Sequence, residues 1–543
     1  MRFYNASDYG VKSFEYCECE LEKFLSSIPK DDEEKTIVFE KGTYLIDATK
    51  LGAQKLYITN TVGDEEFSKD ETPHLNRAPL WFDSLKNVTI DGNGAKFVVH
   101  GKSTNIVIDN CQNIKIQNLT ISTDNPEMHE LKVVHQGPFY VDYEIDEYSK
   151  LVNENGKLYF VGHDYKRNLK DKSKNAWWIA HFPADKPHFC KRTHHPLRDA
   201  FKIAEIDKRK IRAYCINANK FKIGDKYYLY DVRRQYAGIF VQDSENVTLC
   251  NVKQTFNYSL AFVAQNTENI TLTNLDFSPE KGRVMCSVAD FIQICMCRGK
   301  VVVKDSKFDG AGDDCMNVHG FHFEIVDKDK DKIVVKFKHP QSHGYNAFEK
   351  GDEIEFIHPK ALLPKGNAKV MNSIMLNEYD IELTLDSTQN AVIGEFVENV
   401  TACPEVDFVN NEIDRIITRG LLLTTRGKTN VENNHFYSTT MSGILLSDDA
   451  DNWYESGMCL DLTIKNNIFD YCGENGVLIK PEIKCYEGAV HKNITIEDNT
   501  FKKCERACFE ISSTDNVTIR NNVISECPEK LVLSNVTNII KDF

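Results

Sequence analysis

Residues 85–122 read LKNVTIDGNGAKFVVHGKSTNIVIDNCQNIKIQNLTIS, and the unit Asn-apolar-polar-apolar within them decides the fold. The unit stands as NVTI at Asn87 and NIKI at Asn113. It returns as NVTL at Asn246, NITL at Asn269, NITI at Asn493 and NVTI at Asn516. The first two copies lie 26 residues apart; Asn246 and Asn269, like Asn493 and Asn516, lie 23 apart. Alternating apolar residues after an asparagine that keeps its corner are the mark of a parallel β-helix, whose corner side chains hydrogen-bond up the stack. That corner accounts for the Asn-x-Thr sequons without glycosylation. The pairs Asn410-Asn411, Asn433-Asn434, Asn466-Asn467 and Asn521-Asn522 mark further turns. The 33-residue interval between Asn434 and Asn467 carries an excursion, DDADNWYESG.

Working outward, Phe14, Cys17, Leu21, Phe24, Leu25 and Ile28 recur at helical spacing, which predicts a short amphipathic helix over the first open coil. An exposed solenoid end needs such a cover, because its strand edges are otherwise unpaired. The run KTIVFEKGTYLID predicts two strands about a Lys-Gly turn. Two segments break the period, and each carries an apolar-x-Gly-Asp followed by alternating strands, as small antiparallel barrels do. The expected fold is all-β: a right-handed parallel β-helix with two inserted small β-barrel-like subdomains and an N-terminal capping helix. Its expected divisions are 1–127 (cap and first coils), 128–232 (first insert), 233–320 (central coils), 321–400 (second insert) and 401–543 (last coils). The inserts either wall a cleft or merely decorate the solenoid.

Composition narrows the function. Of 543 residues, 41% are hydrophobic, and no run of about 18 apolar residues could span a membrane. The formal charge of −15 argues against nucleic acid and other polyanions. The 17 cysteines are scattered without CxxC pairs, and the opening MRFYNASDYGVKSF has no basic segment leading into an apolar one. The expectation is a reduced cytoplasmic protein, or an extracytoplasmic one if an export signal has been removed. Cys295, Cys297 and Cys315 are expected as buried thiols within the coils rather than metal ligands.

The candidate site is 287–320, SVADFIQICMCRGKVVVKDSKFDGAGDDCMNVHG. Asp290 and Asp313 are 23 residues apart, one coil, so Asp290 is expected beside the Asp313, Asp314 pair. A double Asp after Gly-Ala-Gly is commonly a solvated turn. Asp290, however, sits in an apolar run (Val288, Ala289, Phe291, Ile292, Ile294), where a carboxylate without a task is costly. Gly310 and Gly312 allow a bulge that turns both aspartates to one side. Clustered carboxylates push one pKa upward, and a raised acid beside an ionised base is what glycosidic cleavage needs. Trp453 of the excursion suits the apolar face of a sugar, or else plugs the coil. Arg419 and Arg426 in adjacent coils, with Glu482 one coil later, suit hydroxyl pairs. Asn317, His319 and Glu455 complete the expected contacts.

With these residues in view, the chain resembles glycoside hydrolase family 110, the α-1,3-galactosidases that act on terminal, non-reducing α-galactose. The resemblance runs over nearly the whole length, through 288–320, the ITRGLLLTTRG run and ILLSDDADNWYESG. It implies hydrolysis with inversion, Asp290 as general acid and the Asp313, Asp314 pair holding the attacking water, with an α-galactosyl glycan as substrate and no metal or organic cofactor. It leaves a homodimer open. Two other readings stand beside it. A polygalacturonase-like enzyme shares the Gly-Asp-Asp-Cys turn, but Gly-His-Gly and Arg-Ile-Lys units are missing. A glycan-binding β-helix would need no paired carboxylates.

Overall fold

The computed structural model describes residues 1–543 except 68, 70, 164, 172–176, 189, 192 and 232. The expected boundary at 232 therefore falls outside the described residues. A 31-stranded sheet winds as a parallel solenoid of three strand stacks. The stack that matters for the site runs through Ala237–Gln242, Leu260–Gln265, Ile292–Cys295, Met316–Phe321, Leu421–Leu423 and Ile444–Leu446, each paired in parallel with the next. Strand alternation sends Ile292, Ile294, Met316 and Val318 into the coil core and leaves Gln293, Asn317 and His319 on the outer face.

The asparagine corner behaves as the spacing predicts. Asn87, Asn113, Asn246 and Asn269 take positive φ of 55–57°, a left-handed turn that asparagine tolerates. Each of the last three donates its side-chain amide to the one before, at 2.8, 2.9 and 3.1 Å. The later pairs divide their labour. Asn410, Asn433, Asn466 and Asn521 take the left-handed turn. Asn411, Asn434 and Asn467 are buried, and each gives both its backbone N–H and its side-chain amide to the oxygen of the next asparagine. Asn499 does the same toward Asn522. Inside the coil Phe436, Phe469 and Phe501 stack nearly parallel with centroids 4.9 and 4.6 Å apart, each pair adding about 0.5–1.5 kcal/mol beyond burial.

The cap helix spans Glu18–Ser26 and buries Leu21, Phe24 and Leu25 against the first coils. Phe14 departs from the expected apolar face. It precedes the helix in a left-handed turn whose N–H is tied to Thr43 O, and it stays exposed. The first insert is a seven-stranded antiparallel sheet with a three-stranded sheet beside it; the second, Phe323–Asp329 through Phe396–Asn399, is a closed barrel. Both return the chain to register, with Ile114 opposite Val247 across the first and Val301 opposite Val406 across the second. Cys297 and Cys315 lie in the coil core, but Cys295 points outward into the barrel core, its thiol 3.5 Å from Tyr345 OH. No helix among the described residues is long and apolar enough to cross a membrane.

The inserts and long excursions leave from the two edges of one stack. Residues 48–79 and the first insert enter it; the second insert and the 447–461 excursion leave it. Its outer face thus becomes the floor of a walled cleft.

Candidate active site

Three turns entering this stack carry the acidic cluster. Asp290 precedes Ile292–Cys295, Asp313 and Asp314 precede Met316–Phe321 one coil on, and Thr418 and Arg419 precede Leu421–Leu423 on the next. The turns nest tightly: a Cβ on Gly312 would stand 2.0 Å from Val288 O, and Gly310 has φ +85°. Only glycine lets the Asp313 turn settle on the Asp290 turn. One oxygen from each carboxylate lies within 4.8 Å of the others.

The three carboxylates differ in their partners. Asp314, its side chain 2% exposed, is saturated: Oδ1 accepts from Thr418 Oγ1 at 2.5 Å and from Arg419 N and Nε at 3.0 and 2.8 Å, and Oδ2 from Arg419 Nη2 at 2.8 Å. Asp313 keeps 20% of its side chain exposed, with Thr418 Oγ1 3.0 Å from Oδ1 and Arg234 Nη1 3.7 Å from Oδ2. Thr418 has one proton for both neighbours. Asp290 is buried and accepts the Asp314 N–H at 3.0 Å. Burial first, then the charges of Asp313 and Asp314, push its carboxyl well above the usual carboxylate range. Arg419 pairs with Asp314 and Arg234 approaches Asp313, while the surroundings of Asp290 favour its acid form. Three carboxylates this close could also hold a cation, but the two guanidiniums already occupy that electrostatic role.

The floor and far wall come from the same stack and the 447–461 excursion. Asp449 accepts the backbone N–H groups of Asp451, Asn452 and Trp453, folding the tip of the excursion. Phe321 pairs antiparallel with Glu455, pinning its return. The Glu455 carboxylate accepts from Asn60 Nδ2 at 3.4 Å and Asn317 Nδ2 at 3.3 Å, with His319 Nε2 3.5 Å away. Asn317 Oδ1 is buried with no hydrogen-bond partner. Trp453, 42% exposed, stacks with His339 at 4.4 Å and has the Arg234 guanidinium 5.9 Å from its ring. Burial, then the Arg234 and His319 charges, hold His339 down to about 4, neutral at physiological pH.

Residues 332–395 match the family described as GLAA-B beta-barrel domain II, and 399–524 that described as right handed beta helix region. Alpha-1,3-galactosidase A of Bacteroides thetaiotaomicron is 34% identical over 478 residues, covering 86% of this chain and 81% of that protein. The alpha-1,3-galactosidase A of Bacteroides fragilis is 32% identical over 515 residues, covering 91% and 83%. The chain belongs to the alpha-1,3-galactosidase family.

In this galactosidase-family chain the structure gathers Asp290, Asp313, Asp314, Asn317, His319, Arg419, Trp453 and Glu455 about one cleft. It does not bring Arg426 there, and Glu482 makes no side-chain contact with the set among the described residues. Arg426, partly buried, pairs with Glu398 and Glu355 at the barrel junction, its Nη2 2.8 Å from Glu355 Oε2, so its charge is spent on a structural pair. Glu482 is exposed and joins the neighbouring coil through its backbone N–H, 2.9 Å from Asp448 O. Alternation along a strand decides such cases, and both lie beyond the strand ends where alternation lapses. Sequence reasoning missed Arg234, His339, Gln341 and Asn60. Arg234 closes the first insert and donates to Gln341 Oε1 at 2.8 Å; His339 and Gln341 belong to the barrel's KHPQSH run. None belongs to the repeat, so no spacing pointed to them.

Proposed function

We propose that this protein releases terminal α-1,3-linked galactose from the non-reducing ends of glycans by hydrolysis. The observation that carries the reading is the unequal treatment of three adjacent carboxylates: one buried, one saturated by Arg419, one partly exposed. Asp290 donates its proton to the leaving glycosidic oxygen, Asp313 takes a proton from the attacking water, and Asp314 anchors the turn through Arg419. This refines the expected shared role of the pair, because an oxygen pair already receiving four donors has little left for water. Trp453 and its stacked His339 offer an aromatic edge to the sugar. Asn317 Oδ1, buried and unpartnered, suits a sugar hydroxyl donor. The names carried by relatives at 30–34% identity support the substrate class.

We infer inversion as the stereochemical course. A second reading has its own support: an oxygen of each carboxylate within 4.8 Å is closer than the roughly 6.5–9.5 Å usual for inverting pairs and favours a covalent, retaining route. Against retention stands the saturation of Asp314, which removes one of two candidate nucleophiles. Proton NMR of the first sugar released from a linear α-1,3-digalactoside decides the matter. β-Galactose supports inversion, and α-galactose appearing first overturns it. Failure to release galactose from that substrate, with turnover of polygalacturonate instead, would overturn the substrate class.

A further inference from the structure

Outside the acidic cleft a second set of side chains converges where residues 54–76 meet the barrel. His74 Nε2 lies 2.7 Å from Asp64 Oδ1, and His343 Nε2 lies 3.6 Å from the same oxygen. One ligand atom from each of the three residues falls within 4.8 Å of the others. His74 and His343 are buried, and neither ring nitrogen of His343 has a hydrogen-bond partner. A buried imidazole with both nitrogens unmet forfeits about 1–3 kcal/mol per group, so a ligand there answers a standing cost. Aromatic rings fix the set: His343 stacks on Tyr379 at 4.3 Å, and Tyr57 packs on His74 at 4.5 Å. Tyr379 OH donates to the other Asp64 oxygen at 2.7 Å, the outer bond that aims a ligating carboxylate.

We propose that Asp64, His74 and His343 form a divalent-cation site that clasps the 54–76 segment to the barrel, with zinc the ion their chemistry fits best. Two imidazoles and a carboxylate are a zinc donor set. Zinc bonds of about 2.0–2.2 Å set tetrahedral ligand atoms ~3.4 Å apart, and the 2.7 and 3.6 Å separations here bracket that value. The group His100, Asp124 and His163 makes a useful contrast. There His163 Nε2 already accepts the Gly101 N–H at 3.2 Å, and the ring of His100 is 39% exposed.

The clasp would act at a distance from any sugar. Four residues before Asp64, Asn60 holds Glu455; two and four residues before His343, Gln341 and His339 hold Arg234 and Trp453. A metal joining Asp64 to His343 therefore fixes two walls of the cleft relative to each other. The assignment does not depend on the catalytic reading, because its test reads metal.

The test is zinc titration of the chelator-stripped, desalted full-length protein by calorimetry, with Co2+ absorption reporting tetrahedral coordination. Wild type is expected to bind one zinc that His343→Ala and His74→Gln each bind at least about 100-fold more weakly, while His100→Ala binds it as wild type does. Zinc should raise the Tm of wild type and of His100→Ala but not of the two ligand variants, with circular dichroism confirming that each is folded. Wild type that binds no zinc overturns the proposal. So does a folded His343→Ala or His74→Gln that binds it with wild-type affinity.

Discussion

The pairing of Asp314 with Arg419 offers the sharpest test of how the cleft is held. Arg419→Met removes two of four donors to Asp314, the Nε and Nη2 bonds at 2.8 Å, and leaves the backbone N–H at 3.0 Å and Thr418 at 2.5 Å. Stripping the cation from a carboxylate only 2% exposed costs about 3–5 kcal/mol, and the two surviving donors place this case near 3. The loss falls on the junction of two coils, where Cys315 N and Met316 N donate to Arg419 O and Gly420 O at 3.1 and 3.2 Å. About 3 kcal/mol corresponds to roughly 150-fold faster opening, so the peptide holding these amides should lose protection from hydrogen exchange by about two orders of magnitude. Local exchange is the right assay because a long solenoid need not unfold in one step. Arg419→Met combined with Asp314→Asn should recover most of the protection, since the stranded charge is gone. Protection in Arg419→Met within threefold of wild type would refute the idea that a desolvated ion pair locks these turns.

Three further outcomes follow. Asp290→Asn should lower kcat on an unactivated digalactoside by about 10²–10⁴-fold and much less on p-nitrophenyl α-galactoside, whose leaving group needs little protonation. Because the folded pKa of Asp290 is raised, its contribution to stability is complete below the ordinary carboxylate pKa and is lost as pH rises toward the folded value; Asp290→Asn should therefore gain stability over wild type from about pH 4 upward, read as Tm against pH. Asn467→Leu leaves the N–H and amide of Asn434 without their acceptor and should cost on the order of 3 kcal/mol, seen as faster exchange in the coils on either side. Trp453→Ala should raise KM with little change in kcat, and an unchanged KM would remove the aromatic edge from the site.

The solenoid was legible because its physics is periodic. One asparagine per coil must take a left-handed turn and one alternating segment must bury its apolar side, so the pattern repeats and can be counted. Asp290, Asp313 and Asp314 were legible for the same reason, standing one coil apart. Their division of roles was not, because it depends on which carboxylate Arg419 reaches, and that is set by a coil 105 residues further on. Arg426 looked equivalent to Arg419 in sequence, yet Glu398 and Glu355 of the barrel claim it. Arg234 and His339 reach the cleft from the inserts and Asn60 from the 48–79 segment, whose docking no period encodes. Phe14 met the helical spacing but fell before the turn that starts the helix.

The register kept across the inserts bears on how such a chain can change. Neighbouring coils stay aligned although bonded partners stand 133 residues apart in sequence across the first insert and 105 across the second. Stretching a closure from 23 to 133 residues adds about 1.6 kcal/mol if the loop is flexible, and a segment that folds by itself adds less. The coil therefore behaves as a rack with sockets along one rail: a module can be mounted, exchanged or lengthened there while the acids beneath keep their positions. Transplanting a relative's barrel into 322–404 should retune which glycan is admitted and leave bond cleavage where it is.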